Sequence, residues 1–169
     1  MRFRRRETAE TLWTTISWST ASMSNANKIA GARRLQYGAL PYRTSYGHRA
    51  EFMLVTSRET NRWIIPKGWP KRGKSPHRSA AHEAFEEAGV LGAIGRQSVG
   101  SFSYEKRLKH GRSVECEVRV FPLEVKRQRK EWPESQERRV IWLSASKAAK
   151  KVKDPVLSKI IQRVARKCA

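Results

Sequence analysis

The sequence predicts an α/β domain of the α+β type, in which a mixed β-sheet is packed between α-helices. Strand-like and helix-like segments follow one another irregularly along the chain, unlike the regular strand–helix alternation of a doubly wound fold. The chain has 169 residues, which is long enough for one hydrophobic core and short for two ordinary domains. We therefore expect one domain, over residues 31–169.

Short apolar or alternating segments mark the expected strands. Residues 36–42 and 51–56 are rich in aromatic and aliphatic side chains, and a Gly- and Ser-containing turn separates them. Residues 62–66 are a third apolar run, which ends at the Pro and Gly residues of the next loop. Residues 114–120 alternate between apolar and charged side chains, as a strand with one dry face does. Residues 140–143 form the last predicted strand.

Two helices carry start and stop signals. Ser75 is the predicted N-cap of the first helix, Pro76 occupies its first position, and Gly89 lies where it should end. These signals are about four turns apart. Asp154 and Pro155 open a C-terminal helix. Its apolar stripe consists of Val156, Leu157, Ile160, Ile161 and Val164.

Residues 1–30 are predicted to be a basic, disordered N-terminal extension. They begin with a cluster of arginines that resembles the start of a targeting peptide. Glu7 and Glu10 interrupt this cluster, and no apolar stretch of roughly 7 to 15 residues follows, as a secretory signal requires. Met23 lies just before the globular pattern, so translation from Met23 is a second hypothesis for this region.

Charge is the strongest feature of the composition. Thirty-six Lys and Arg residues against fifteen Asp and Glu residues give a net charge of +21, which attracts nucleic acid, anionic lipid or a small polyphosphate. No run approaches the roughly 18 apolar residues that span a bilayer, so we expect a soluble, cytoplasmic protein. Cys116 and Cys168 form no CxxC pair, which argues against a zinc site or a disulfide framework.

Three glutamates of the first predicted helix are the candidates for chemistry. Glu83, Glu86 and Glu87 are spaced i, i+3 and i+4, so their carboxylates project from one face within one turn. Like charges this close destabilise a helix by roughly 0.2–0.5 kcal/mol per pair, which favours a cation over them. Hard oxygen donors suit Mg²⁺ or Mn²⁺. The opposite face is expected to carry Ala81, Ala84, Phe85 and Ala88.

The alternative is a solvated acidic surface without a function. The preceding segment argues against it, because no acidic residue lies between Glu59 and Glu83 whereas six cationic residues do. These are Arg62, Lys67, Lys71, Arg72, Lys74 and Arg78. An acidic cluster beside a basic loop fits a metal ion together with a polyanionic substrate.

Residues 68–90, GWPKRGKSPHRSAAHEAFEEAGV, resemble the 23-residue Nudix box. The match is close in its last part. Lys74 stands where the box has its first Glu, and His82 stands where it has Arg. In the family those two residues pair and brace the loop against the helix, so losing both together removes a brace without leaving one charge unpaired.

The resemblance implies a Nudix-like fold and a magnesium-dependent hydrolase of phosphoanhydride bonds. It assigns Glu83 and Glu87 to the metal, with the backbone carbonyl of Lys67 as a further ligand, and Glu86 to proton acceptance. Family members differ in which glutamate is the base, and a glutamate of a later loop sometimes contributes. The candidates for that glutamate are Glu131, Glu134 and Glu137.

The flanking segments resemble the diphosphoinositol polyphosphate phosphohydrolase branch of the family. The similar segments are SRETNRWIIPKGWP before the box, a basic loop at 106–112, and KEWPES further on. The resemblance implies an inositol pyrophosphate or a diadenosine polyphosphate as the substrate. Matching substrate-binding positions are Arg34, Ser57, Arg58, Lys106, Arg107, Lys109 and Arg112.

Two other functions remain open from the sequence. The same metal site could remove pyrophosphate from RNA 5′ ends, which the +21 charge favours through backbone contacts. The second is a nucleic-acid or polyphosphate binding module without activity. Such a module is expected to lack a catalytic glutamate, and Glu83, Glu86 and Glu87 are all present here. The cations near the C-terminus are interpreted as a charged helix surface that helps electrostatic steering at most. Trp69, beside the metal loop, is a candidate for stacking on a base.

Overall fold

The computed structural model describes residues 33–44, 49–108 and 113–168. The described part of the chain contains eight strands in one sheet and three helices. The strands are β1 Arg34–Thr44, β2 Ala50–Thr56, β3 Trp63–Ile64, β4 Lys67–Gly68, β5 Val90–Ile94, β6 Gly100–Arg107, β7 Ser113–Gln128 and β8 Val140–Ser144. The helices are α1 Pro76–Ala88, α2 Ala145–Lys151 and α3 Pro155–Lys167.

The sheet is mixed, as the sequence predicted. Strand β1 is central: it runs parallel to β7 from Arg34 opposite Cys116 to Tyr42 opposite Glu124, and antiparallel to β2 and β4. The remaining pairs are antiparallel, with β3 and β8 on β2 and with β5 and β6 on β7. The main path through the sheet is β3-β2-β1-β7-β5.

Helices cover both faces of the sheet because neighbouring strand residues point to opposite sides. Ala39 packs with α1 in one apolar cluster, and the next residue, Leu40, packs with α2 and α3 in the other. The α3 side buries the predicted stripe residues Leu157, Ile160, Ile161 and Val164, whereas Val156 is exposed. The predicted arrangement of a sheet between helices is therefore confirmed.

The ends of α1 follow the predicted signals, with one difference. Gly89 takes the left-handed conformation at φ 68° and caps the helix by donating its N–H to Ala84 and Phe85. Ser75 occupies the N-cap position, but its side chain makes no capping hydrogen bond and its Oγ lies 3.3 Å from His77 Nδ1. Ser75 is thus the N-cap residue, as predicted, and it lacks a side-chain capping bond because its hydroxyl contacts the imidazole instead.

Four elements were not predicted, the first of which is the two-residue strand β4. Strand β5 contains Gly and Ala and follows α1 directly, and β6 buries only Phe102, so neither has a clear alternating pattern. Helix α2 has seven residues, of which only two alanines are buried. Lys106 and Arg107 were expected in a basic loop at 106–112, but they belong to β6, which pairs with Val114 and Ser113 of β7.

Candidate active site

Gly68 allows the helix α1 to approach the loop that precedes it. It lies in β4, opposite Tyr37 of β1, and a Cβ atom at this position would overlap the carboxylate of Glu83. Glu83 is 7% exposed, and its side chain therefore has little room to move away. Glycine is required here because a carboxylate packs directly on the backbone.

Gly68→Ala is expected to lower the free energy of unfolding by about 1–3 kcal/mol, because the methyl group overpacks a filled space. It should also displace the Glu83 carboxylate and reduce the turnover that the resemblance to the Nudix box implies. Thermal melting and turnover of the same preparation measure both effects. Gly73→Ala is the matched control, since a Cβ at Gly73 meets no atom within 4 Å and only the positive φ of 74° opposes it. Equal effects of both substitutions would contradict the packing argument.

Two of the three predicted glutamates share one cationic group. Lys71 Nζ lies 3.0 Å from Glu83 Oε1 and 2.8 Å from Glu86 Oε2. His82 Nδ1 is 3.0 Å from the same Glu86 oxygen but is not aligned for a hydrogen bond. Lys71 thus ties the loop before α1 to the helix, the role that the family gives to the residues replaced here by Lys74 and His82.

Glu87 is bound by a different cation, which comes from a distant part of the chain. Arg138 forms ion pairs with Glu87 through Nη2 and with Glu134 through Nε, and its Nη1 donates to the Thr56 carbonyl at 2.9 Å. The side chains of Arg138 and Glu87 are each 7% exposed. The other Glu87 oxygen accepts the Lys67 N–H at 3.2 Å. Arg138 and Glu87 thus form a buried ion pair, to which Glu134 is joined through the same guanidinium group.

The two environments move the pKa values of the glutamates in opposite directions. Burial raises the pKa of Glu87 to about 7, against the lowering effects of Arg138 and Lys67. Burial also acts to raise the pKa of Glu86, but the hydrogen bond from Lys71 and the nearby His82 imidazole outweigh it, and the pKa lies below its usual value. Glu86 is therefore ionised at neutral pH and able to accept a proton.

The prediction of which α1 residues lie on the face opposite the glutamates is partly wrong. Ala84 and Ala88 were expected opposite the glutamates, yet they are buried beside Glu83 and Glu87. Positions 80, 84 and 88 form one row at i+4 spacing, and 83 and 87 form the adjacent row, so both rows face the protein interior. Glu86, on the outer side of this pair of rows, is only half-buried.

Cationic side chains of β4 and β6 contact the aromatic rings of Tyr104 and Trp69. Lys67 Nζ donates to Tyr104 Oη at 3.0 Å, and Tyr104 donates to Gln36 Oε1 at 2.7 Å. Burial lowers the pKa of Lys67 to about 8, while Glu87 acts to raise it. Lys106 Nζ lies 4.9 Å from the centre of the Trp69 ring, so this ring, the predicted stacking surface, contacts a cation.

The predicted substrate-binding residues occupy different surroundings. Arg34 is exposed at the start of β1, beside Cys116 of β7. Ser57 Oγ lies 2.6 Å from Thr60 Oγ1. Arg58 Nη1 is paired with Glu137 at 3.1 Å and lies 3.8 Å from Glu134. The positions Lys109 and Arg112 lie outside the described residues.

Of the three later glutamates, Glu134 lies nearest to α1. Its backbone N–H donates to the Glu86 carbonyl at 3.1 Å, and its carboxylate binds Arg138. Glu137 contacts Arg58 instead, and Glu131 is exposed. The segment of residues 129–139, hereafter the clamp segment, is fixed to the end of α1 by these contacts and by Trp132, which packs on Gly89.

Sequence reasoning missed Arg138, Tyr104 and Gln36 as members of this site. Tyr104 and Gln36 are polar strand residues that lie beside Lys67, but nothing in their spacing along the sequence predicts this position. Arg138 follows the segment with the three later glutamates, and its i+4 spacing from Glu134 was the available signal. Its contact with Glu87 spans 51 residues and has no local signature.

The glutamates of α1 offer carboxylate oxygens, the type of ligand that a hard divalent cation prefers. Glu83 and Glu86 already hold one positive group between them, the Lys71 ammonium, and Gly68 leaves room for the Glu83 carboxylate against the backbone. No three His, Cys, Asp or Glu side chains of residues 33–44, 49–108 and 113–168 converge on one point. Glu87 is paired with Arg138. A metal held by Glu83 and Glu87 together therefore requires Glu87 to exchange partners.

Comparison with known proteins agrees with this fold. The family model of the NUDIX domain matches residues 33–164. Nudix hydrolase 17, mitochondrial, of Arabidopsis thaliana is 30% identical over 128 residues, covering 72% of this chain and 68% of that protein. A crystal structure of a C. elegans Ap4A hydrolase binary complex has a TM-score of 0.59 at 19% identity, covering 79% of this chain and 96% of that one. The chain belongs to the Nudix hydrolase family.

A second relative matches over a shorter stretch. Diphosphoinositol polyphosphate phosphohydrolase 3-beta of Bos taurus is 43% identical over 61 residues, which is 36% of this chain and 37% of that protein. The resemblance seen in the sequence to the Nudix family and to this branch is thus confirmed. Within the described ranges, no helix has the length and apolarity needed to cross a membrane.

Proposed function

We propose that the protein is a magnesium-dependent hydrolase that cleaves a phosphoanhydride bond of an inositol pyrophosphate or a diadenosine polyphosphate. The observation that carries the proposal is the adjacency of opposite charges at the site. Glu83, Glu86 and Glu87 lie within one turn of α1, and Lys67 lies directly beside Glu87. Such a pattern suits a substrate with many phosphates, and the carboxylates would hold a cation that neutralises phosphate charge.

The substrate class is supported by the 43% identity to a diphosphoinositol polyphosphate phosphohydrolase over 61 residues. In the proposed complex the phosphates contact Arg34, Lys106 and Arg107. Ser57 and Arg58 are the other described members of the predicted substrate-binding set. Lys109 and Arg112 complete that set from outside the described residues. Arg58 contacts the phosphates only after its ion pair with Glu137 is broken. The cytoplasm is the proposed compartment, although Nudix hydrolase 17 of Arabidopsis thaliana is named as mitochondrial.

Each glutamate has its own proposed task. Glu83 and Glu87, with the backbone carbonyl of Lys67, hold Mg²⁺, or Mn²⁺ in its place. The metal supplies charge neutralisation on the phosphate oxygens. Glu86 accepts the proton of the attacking water, whose oxygen forms the new bond to phosphorus as the anhydride bond breaks. Lys71 keeps the Glu86 carboxylate oriented towards the loop.

Phosphate release from an inositol pyrophosphate and from a long diadenosine polyphosphate tests this proposal. The wild-type protein is expected to turn over one of the two compounds with Mg²⁺ and neither with a chelator. The compound that is hydrolysed faster then identifies the substrate class of the protein. Absence of metal-dependent turnover of both compounds would overturn the proposal and favour the RNA or the binding-module function.

A further inference from the structure

The ammonium group of Lys71 lies between two carboxylates of α1. Its Nζ is 3.0 Å from Glu83 Oε1 and 2.8 Å from Glu86 Oε2. Carboxylates one turn apart on a helix repel each other, so a positive charge between them is stabilising. Glu83 is also one of the two glutamates proposed to hold Mg²⁺. Lys71 and the metal would therefore compete for the same carboxylate.

The backbone of Lys71 is fixed independently of its side chain. Its N–H donates to Ser79 Oγ at 3.2 Å, and its carbonyl accepts the Lys74 N–H at 3.1 Å. Among the described residues, the Lys71 ammonium is held by Glu83 and Glu86. The side chain can therefore release a carboxylate by a change of rotamer, without movement of the loop backbone.

Exposure separates Lys71 from Arg138, the cation that binds Glu87. The Lys71 side chain is 33% exposed, so water can solvate its ammonium group after release from a carboxylate. The Arg138 side chain is 7% exposed, and its movement would also leave Glu134 and the Thr56 carbonyl without this donor. Burial makes such a loss costly. Lys71 is therefore the cation that can leave a glutamate of α1 at low cost.

We propose that Lys71 is an internal counter-ion, which takes the place of the metal on Glu83 in the metal-free protein and gives up this carboxylate when the metal binds. This role rests on the proposed function, which places the metal on Glu83. Lys71 then remains paired with Glu86 alone. It lowers the affinity for the metal, because an ion pair must break and a positive charge already lies at the site. It stabilises the metal-free protein, because it separates two like charges.

Titration with Mn²⁺, followed by the electron paramagnetic resonance signal of the free ion, measures metal affinity without turnover. The test variant is Lys71→Met, which keeps an apolar stem and removes the ammonium group. Its dissociation constant for Mn²⁺ is expected to fall by about fivefold or more, the lower end of the usual coupling between two binding events. With a chelator, the same variant should melt below the wild-type protein, and added Mn²⁺ should reduce this difference. A purely structural role of Lys71 would instead weaken metal binding together with stability.

Lys74→Met is the matched control, because Lys74 is an exposed lysine of the same loop whose described hydrogen bond comes from its backbone. It removes the same charge, and its affinity for Mn²⁺ should change by less than about twofold, since solvent and salt screen an exposed charge. Equal gains in affinity for Lys71→Met and Lys74→Met would overturn the proposal, because net charge alone would then explain them.

A Glu83→Gln background tests whether Glu83 is the contested carboxylate. There the gain in Mn²⁺ affinity from Lys71→Met should shrink, because the ion pair that competes with the metal is already lost. A gain of full size in this background would overturn the proposal. Unchanged or weaker Mn²⁺ binding by Lys71→Met itself would also overturn it, while a metal-dependent reaction would stand. If neither the wild-type protein nor Lys71→Met binds Mn²⁺, the proposed function fails together with this role of Lys71.

Discussion

Glu86→Gln is expected to lower turnover by about 10²- to 10⁴-fold, the usual contribution of a general base. The substitution keeps the size of the side chain and removes its ability to accept a proton. Glu86 is half-buried and ionised, and its contacts come from Lys71 and His82. Lys71 retains Glu83 at 3.0 Å, so the fold should tolerate the change.

The measurement is steady-state phosphate release with saturating Mg²⁺, accompanied by thermal melting of each variant. Glu131→Gln is the control, because Glu131 is an exposed glutamate of the clamp segment without an ion pair among the described residues. Glu134→Gln tests the other candidate base. If Glu86→Gln turns over substrate like the wild-type protein while Glu134→Gln is inactive, the base is Glu134.

The helix and its glutamates could be predicted because their determinants are local. Pro76 and Gly89 define the ends of α1, and the i, i+3, i+4 spacing brings Glu83, Glu86 and Glu87 into one turn whatever surrounds them. Which carboxylate meets which cation depends on tertiary structure. The spacing of residues within a helix cannot reveal that Glu83 shares Lys71 with Glu86 while Glu87 is turned towards another segment.

Prediction of the sheet from the sequence was limited in the same way. Strands β1, β2, β7 and β8 have enough apolar side chains to be recognised from the sequence. The strand β6 buries one face only at Phe102 and otherwise presents polar residues, so its place next to β7 comes from pairing along the backbone. Lys106 was consequently assigned to a loop, although as a strand residue it points towards Trp69.

Arg138→Met is expected to lower the free energy of unfolding by about 3–5 kcal/mol, the usual cost of removing one partner from a buried ion pair. Methionine fills much of the space but leaves the buried Glu87 carboxylate with only the Lys67 N–H, and Glu134 without its main partner. The Thr56 carbonyl also loses a donor. Stabilities of whole domains are about 5–15 kcal/mol, so this is a large fraction of the total.

Chemical denaturation of Arg138→Met and of Arg139→Met measures the effect. Arg139 is the matched control, because it is the adjacent residue and its side chain is exposed. We expect Arg139→Met to change stability by less than about 1 kcal/mol. Similar losses for both variants would show that the clamp segment needs positive charge in general and not the buried guanidinium.

The double variant Arg138→Met/Glu87→Met separates the ion pair from the packing of the clamp segment. If the cost of Arg138→Met is the stranded charge of Glu87, removing that charge as well should recover a large part of the lost stability, because a buried pair replaced by apolar side chains is often neutral. If the cost comes instead from lost packing against α1, the losses in the free energy of unfolding caused by the two substitutions should add. Recovery would mean that the arginine stabilises the fold chiefly by compensating a carboxylate, and that this carboxylate is kept in the interior for its chemistry rather than for stability.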